Sequence, residues 1–436
     1  MTKNTNSKII NINIQYLNQF YKISLPQQGY IGTYNLSLPQ TEKNICKIFN
    51  DAIQNPIGNI ENIKHKNLSN KKISIVISDT FRYTGVEQFL SLLLEILFSS
   101  GCQSKNIQFL VSAGSHRPPT ESELSKIVTE EIFNQFKQQI IIPDPSDLKQ
   151  YQHLGKTTRG TPVYVHQEVM SSDYLILTGT ILFHYFAGFG GGRKSIVPGL
   201  SALPTIQHNH ALSIHPERCE IHPQVKIGVM EGNPVAEDLI EATFMTQKEY
   251  LIINTVLSPQ KNIIKIFCGD LIHAHETGAN FAKHIYSINI PQQADIVIAS
   301  AGDAKNFLQS HKALVNAWQA RKQPHGKIIF IAPCPEGLGG HKFKEWLEIG
   351  DTNKLLSTLR KNGEVNGQTI ISTLEKSQHT YFLTELLEST VLLLGGRKIS
   401  TLEEGFNLAW EELKKQGIKE PTWMFLPDSA YSVPTI

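Results

Sequence analysis

Three short apolar runs constrain this chain more than any other feature. They are Ile73-Ser-Ile-Val-Ile-Ser-Asp79, Ile107-Gln-Phe-Leu-Val-Ser-Ala113 and Tyr174-Leu-Ile-Leu-Thr-Gly-Thr-Ile-Leu182. The first two are separated by Val86–Ser100, a strongly apolar helical stretch. Thr120 with Glu123 forms a capping-box pattern that opens a further helix after the second. Strands that alternate with helices build a mostly parallel sheet. Ligands in such sheets sit beyond the carboxyl ends of the strands. Asp79, His116 and His184 each fall near the end of one of these runs, and together they mark a candidate active site.

The remaining pattern predicts two α/β domains with mostly parallel sheets and an active site in the cleft between them. Ile10, Ile12, Ile14 and Tyr16 alternate with polar neighbours, so residues 8–38 read as strands, followed by a helix from Thr41 to about Ile53. Asn233-Pro234 reads as the cap and first position of a helix to about Thr243. Leu251–Leu257 follows as a strand and 269–287 as a helix. A second series starts at Asp295–Ala299, with a helix at 306–321, a strand at Lys327–Ala332, helices near 341–362 and 379–388, and a strand at Val391–Leu394. A helix at 401–415 and an extended segment around 423–426 end it. The expected division is a cofactor-binding domain over 1–287, a hinge at 288–293, a second α/β domain over 294–400, and a helix and tail over 401–436.

The third apolar run leads into His184-Tyr-Phe-Ala-Gly-Phe-Gly-Gly-Gly-Arg-Lys-Ser195. Glycines at this density let bare N–H groups approach a ligand, and such a nest can hold a phosphate. The pair Arg193-Lys194 would suit the same anion. A P-loop needs glycine directly before the lysine, and here Arg193 intervenes. Farther on, Gln207-His-Asn-His-Ala211 places His208 and His210 two apart, so in an extended segment both point to one face. His215, Cys219 and His222 follow. Histidines beside a phosphate-type loop suggest metal plus nucleotide, although neither His-Glu-x-x-His nor Cys-x-x-Cys is present.

Composition narrows the class. Forty-one basic residues against thirty-nine acidic ones leave a net +2, which gives no ground for a nucleic-acid partner. Five scattered cysteines, at 46, 102, 219, 268 and 334, fit a reduced, cytoplasmic setting. The start lacks an apolar signal core, and no apolar run approaches the ~20 residues that cross a bilayer, so no membrane partner is expected.

The run from His184 through Lys194 to His210, preceded by Gly-Ser-His116-Arg, resembles the nickel-dependent lactate racemase family. The resemblance holds in order from Asp79 to Lys312. It implies a racemase or epimerase of a 2-hydroxy acid and a nickel-pincer nucleotide, a pyridinium mononucleotide whose two thiocarboxyl arms grip nickel. It implies that one arm is joined to Lys194 and that His210 is the protein's nickel ligand. His116 and His184 match the acid/base pair. Asp79, Thr80, Phe81 and Arg82 match a segment that contacts the cofactor, with Arg82 also reaching substrate. Gln309 and Lys312 match substrate-side residues of the second domain. Cofactor-biosynthesis enzymes are the implied partners for loading.

The implied chemistry suits these residue types. Nickel(II) with sulfur, carbon and imidazole donors favours a square-planar site, and the imidazole must be neutral. A histidine on each side of the substrate provides a base for either enantiomer. Two positions depart from the family pattern. The first-strand loop usually reads Asp-x-Thr-Arg-Pro, whereas here it is Asp79-Thr-Phe-Arg-Tyr83, and Phe81 offers no hydroxyl. Leu308 stands where lactate racemase has a tyrosine, which points to a larger or more apolar substrate side chain. Two other readings of the residues stay open at this level. One is a zinc hydrolase using His184, His208 and His210; the other is a nucleotide-binding module without catalysis.

Overall fold

The computed structural model describes residues 8–17, 19–39, 42–218, 220–340, 342–361 and 366–436. The chain forms two compact units. One comprises Leu38–His284 with Thr358–Val365, the other Met1–Ser37, Ile285–Ser357 and Asn366–Ile436.

The first unit is built on a six-stranded sheet. Its order is Ile263–Gly269, Tyr250–Leu257, Tyr174–Thr180, Ile73–Ser78, Ile107–Ser112 and Ile140–Ile141. All neighbours are parallel except the edge strand Ile263–Gly269, which runs antiparallel to Tyr250–Leu257. The central strands are mostly apolar because both faces are covered. Ile73, Ile75 and Ile77 enter the core on one face, with Phe109, Val111, Ile176, Leu251 and Ile253. Val76, Leu110, Leu175, Leu177 and Ile252 enter the core on the other. From Ile73–Ser78 the chain moves outward to Ile107–Ser112, and it later returns to Tyr174–Thr180 on the opposite side. The strand order therefore reverses at Ile73–Ser78, and sheets of this kind bind ligands beyond the carboxyl ends of the strands at such a reversal.

The second unit has a six-stranded, wholly parallel sheet. Its order is Arg397–Ile399, Thr380–Leu383, Lys327–Ile331, Ile296–Ser300, Trp423–Leu426 and Tyr30–Thr33. Alternate residues again feed two cores, Val297 and Phe330 on one face, Ile298 and Ile329 on the other.

Several expectations need correction. The strands expected early in the chain exist, but Tyr30–Thr33 pairs with Trp423–Leu426, so residues up to 37 belong with the C-terminal unit. The terminal segment 401–436 is likewise part of that unit, because its strand is internal to the sheet. The first helix is Ile45–Gln54, capped by the Asn44 side chain; Thr41 lies outside the described residues. The strand Ile263–Gly269 was not anticipated. The expected helix at 379–388 and strand at Val391–Leu394 are exchanged: Thr380–Leu383 is a strand and Glu388–Leu393 a helix. The burial explains the latter. Val391 and Leu394, three apart, are buried while Leu392 is exposed, which is the spacing of a helix face.

Candidate active site

The site is assembled at the carboxyl ends of three strands of the first unit. Asp79 directly follows Ile73–Ser78 and is 2 % exposed. Its Oδ1 accepts the Phe81 N–H at 3.0 Å, which curls the Asp79–Arg82 loop. Its Oδ2 lies 2.5 Å from His116 Nδ1. Burial alone would raise the Asp79 carboxyl, but the His116 hydrogen bond and charge, with Arg82 and the Phe81 N–H, hold it below its usual value. A carboxylate only accepts, so His116 Nδ1 carries the proton. In the neutral ring, His116 Nε2 then holds a lone pair and can act as a base.

The surroundings of His116 are braced. The Phe81 ring lies edge-on to the His116 imidazole at 5.4 Å. The Arg117 guanidinium sits 5.1 Å from the Phe81 ring. Arg117 is in turn bound by both carboxylate oxygens of Glu123, at 2.8 and 2.7 Å. Glu123 closes the capping box of Glu121–Val128 with Thr120. The Arg117 hydrogen bond is the main cause that holds the Glu123 carboxyl down at about 2, and the Thr80 hydroxyl bonds to it as well.

His184 lies just beyond Tyr174–Thr180, in a two-residue strand paired with Gly188–Phe189. It is buried, and its Nδ1 accepts the Ala187 N–H at 3.3 Å. The neutral ring therefore carries its proton on Nε2. His184 and His116 thus present opposite tautomers, one an N–H donor and the other a lone pair.

Phe186 links the remaining groups. Its ring centroid is 4.4 Å from that of His184 and 4.8 Å from that of His210, and the Lys194 Nζ lies 5.4 Å from it. His210 sits on the helix Leu203–Ala211, whose proline in the first turn suits a helix start. The extended geometry expected for His208 and His210 is therefore wrong: on a helix, residues two apart point about 200° away from each other. His210 Nδ1–H donates to the Ile206 carbonyl at 2.7 Å. Burial pushes the His210 imidazole down to about 3, and Lys194, Arg82 and His116 add to the effect. The ring is thus neutral and its Nε2 bears a lone pair, the form a metal requires. His208 is committed elsewhere, with Nδ1 at 3.0 Å from Thr161 Oγ1.

The glycine loop is packed against the protein. Gly192 has φ +53°, and a Cβ there would stand 2.7 Å from His275 Cδ2. Its N–H donates to Asn254 Oδ1 at 2.7 Å. Arg193 does not reach outward to an anion as its place in the motif suggested. It is 2 % exposed, donates to the Ala187 carbonyl at 3.2 Å and lies against His275, whose Nε2 is 2.8 Å from the Gly190 carbonyl oxygen. The Arg193 Nε has no hydrogen-bond partner among the described residues. Desolvation brings Arg193 down to about 10, still a cation at neutral pH. With Arg117 and Glu123 offsetting each other, Arg82, Arg193 and Lys194 outnumber the carboxylate of Asp79, a charge balance that fits an anionic ligand.

A metal is testable against the donor set. Among the described residues no three His, Cys, Asp or Glu side chains are grouped to hold one. A metal at His210 would draw its other donors from a bound group. That fits a metal-carrying nucleotide and does not fit a zinc site of His184, His208 and His210.

Comparison with known proteins now decides the family. The family model for the lactate racemase N-terminal domain matches residues 16–221. A curated lactate racemase from Thermoanaerobacterium thermosaccharolyticum is 30% identical over 364 residues, covering 81% of this chain and 82% of the relative. The chain belongs to the lactate racemase family. A second lactate racemase, from Lactiplantibacillus plantarum, is 27% identical over 423 residues, 92% of this chain and 95% of that one. The structure of the lactate racemase apoprotein from Thermoanaerobacterium thermosaccharolyticum superposes with a TM-score of 0.85 at 26% identity, covering 98% of this chain and all of that one. The protein is accordingly an isomerase of the racemase type with an α/β fold of mostly parallel sheets.

Of the residues expected in this racemase family, Asp79, Thr80, Phe81, Arg82, His116, His184, Lys194 and His210 all lie in the first unit. Gln309 and Lys312 lie in the second, in the first turns of the helix Phe307–Ala320, capped by Asn306. Both are partly exposed, while Leu308 packs on the second unit's core. Sequence reading missed Asn254, His275 and Asp238, which support the site. Asn254 had a signal, a polar residue inside the apolar run Leu251–Leu257. Asp238 and His275 lie on helices whose pattern allowed them to face solvent. The four described cysteines are free, and no helix among the described residues is long and apolar enough to cross a membrane.

Proposed function

We propose that this protein racemises or epimerises a 2-hydroxy acid, lactate or a related 2-hydroxy carboxylate, with a nickel-pincer nucleotide joined to Lys194. The reading rests on the family, whose curated relatives are named lactate racemases. The observation that carries it is the opposed state of two histidines near a neutral third: His116 with a free Nε2, His184 with an Nε2–H, and His210 neutral by burial.

The chain's own residues then divide the work. Held by Lys194 and His210, the nucleotide would supply a reversible hydride acceptor beside the α-carbon. His116 Nε2 accepts the hydroxyl proton of one enantiomer as that carbon becomes a ketone. Reduction of the 2-keto acid on its other face leaves an alkoxide oxygen, to which His184 would give its Nε2 proton from the imidazolium form, with the Ala187 N–H contact to Nδ1 released. One passage thus leaves His116 charged and His184 neutral, so the pair is set for the opposite enantiomer. Asp79 stabilises the imidazolium formed on His116. Arg82 holds the substrate carboxylate, with Gln309 and Lys312 as further substrate contacts. His210 Nε2 would ligate nickel, and Arg193, beneath the glycine loop, adds positive charge for the anionic nucleotide. Phe81 and Leu308 offer apolar surface in place of hydroxyls, so a 2-hydroxy acid with a larger apolar side chain is a substrate alongside lactate.

The test uses protein co-produced with cofactor-making enzymes. Intact mass, nickel content and single-turnover formation of bound 2-keto acid from each pure enantiomer are measured. Wild type should carry the adduct and nickel. His116→Ala and His184→Ala should keep the adduct and lose racemisation by about 10²–10⁴, with opposite enantiomer preferences in the half-reaction. Full racemisation by either variant would falsify the assignment.

A further inference from the structure

Asp238 is a carboxylate at 0% exposure in the helix Pro234–Phe244, and the proposed reaction gives it no task. Its Oδ1 accepts the Thr157 hydroxyl at 2.6 Å. Its Oδ2 accepts the Thr161 hydroxyl at 2.8 Å and the Asn209 side-chain amide at 2.9 Å. Asn209 also donates to the Val235 carbonyl at 3.2 Å. Thr161 has one proton and gives it to Asp238, so its oxygen accepts from His208 Nδ1–H at 3.0 Å. Both residues that precede His210 are therefore tied to one buried carboxylate. A buried carboxylate met only by neutral donors is costly, and it requires every donor to be present.

The helix Leu203–Ala211 carries His210 near its end. Thr205 anchors its first half, donating to the Pro162 carbonyl at 2.7 Å and accepting the Tyr164 N–H at 2.9 Å, while the hold on His208 and Asn209 sets the rotation of the half that carries His210. The tilt of the His210 ring is set separately by the Ile206 carbonyl. Helix rotation moves a side-chain tip farther than the backbone, so loss of the hold displaces His210 Nε2 more than it disturbs the fold.

We propose that Asp238 is the positioning residue for His210, acting through Asn209, Thr161 and His208. The inference rests on the reading of His210 as the nickel ligand. Lys194 belongs to a different segment, the turn Gly192–Ser195, and its tether does not depend on this helix. The two attachments should therefore separate. In cofactor-loaded protein, Asp238→Ala and Thr161→Val should keep the adduct mass on Lys194. The chelator concentration that strips half the nickel should fall about 10- to 100-fold. Asp238→Asn should recover most of the retention, because its amide oxygen can still accept from Thr161 and Asn209 while its NH₂ faces the Thr157 oxygen.

Nickel retention equal to wild type in Asp238→Ala overturns the inference. So does joint loss of adduct and nickel in both Asp238→Ala and Thr161→Val, which would make the network a general scaffold. A wild-type protein that takes up neither adduct nor nickel removes the functional reading itself, and this inference with it.

Discussion

The two α/β units use the same parallel-sheet frame, and their strands deliver different things. In the first, Ile73–Ser78 passes to a buried carboxylate on an imidazole, and Tyr174–Thr180 passes to a second imidazole and a buried cation loop. In the second, Lys327–Ile331 passes to Ala332-Pro-Cys334 and a glycine loop. The carbonyls of Gly337 and Leu338 take the N–H groups of Phe307 and Leu308, and Asn306 Oδ1 takes that of Gln309. Three amides at this helix start are thus used within the chain, while Gln309 and Lys312, the proposed substrate contacts, keep partly exposed side chains. The difference teaches that the sheet supplies the place and the loops supply the chemistry.

Four measurements would break or sharpen this contrast. The largest effect is expected at Lys194. Lys194→Arg keeps the charge but cannot form the amide-type link, so adduct mass and racemisation should both disappear. An active Lys194→Arg protein would remove the tether from the first unit.

Next comes the carboxylate on His116. Asp79→Asn should leave nickel content near wild type and lower kcat about 10²-fold, within the range for a positioned base. An amide can present its NH₂ to Nδ1 and so reverse the tautomer. An unchanged kcat, with the same pH profile, would reduce Asp79 to a loop brace.

The second unit should answer differently. Lys312→Ala should raise KM about tenfold, the size of one charge-assisted contact, and leave the adduct intact. A fall in adduct yield instead would give the second unit a cofactor role and weaken the contrast.

The smallest effect concerns acid stability. Burial, with the nearby Arg193, pushes His275 down to about 3. Below its ordinary 6.5, the unfolded chain binds a proton that the folded chain refuses, so stability falls as pH drops from 6.5 towards 3. Denaturant unfolding of the apoprotein should show that His275→Gln loses about 2 kcal/mol less than wild type between pH 7 and pH 5. Equal losses would show that His275 takes a proton in the folded state.

Much was legible in the chain itself. Strand and helix periodicity are local, so the alternation of apolar runs with helices predicted mostly parallel sheets, and the strand ends located Asp79, His116 and His184. The capping signals at Thr120 and Asn233 are equally local. The exchange of helix and strand between 379 and 394 was lost for the same reason: a short apolar run fits both periods until a neighbour covers one face.

The sequence by itself determined the alternating α/β order, the glycine loop with its lysine, and the set of candidate histidines. Only the tertiary structure decided which nitrogen each histidine offers, because the deciding partners lie apart in the chain or in a turn of uncertain conformation. Asp79 and His116 are 37 residues apart, and His208 and Thr161 are 47 apart. The tertiary structure also decided that Arg193 turns inward to His275 and that Tyr30–Thr33 joins the C-terminal sheet beside Trp423–Leu426. Hydrogen bonds and burial of this kind depend on which surfaces meet, and no local pattern encodes that.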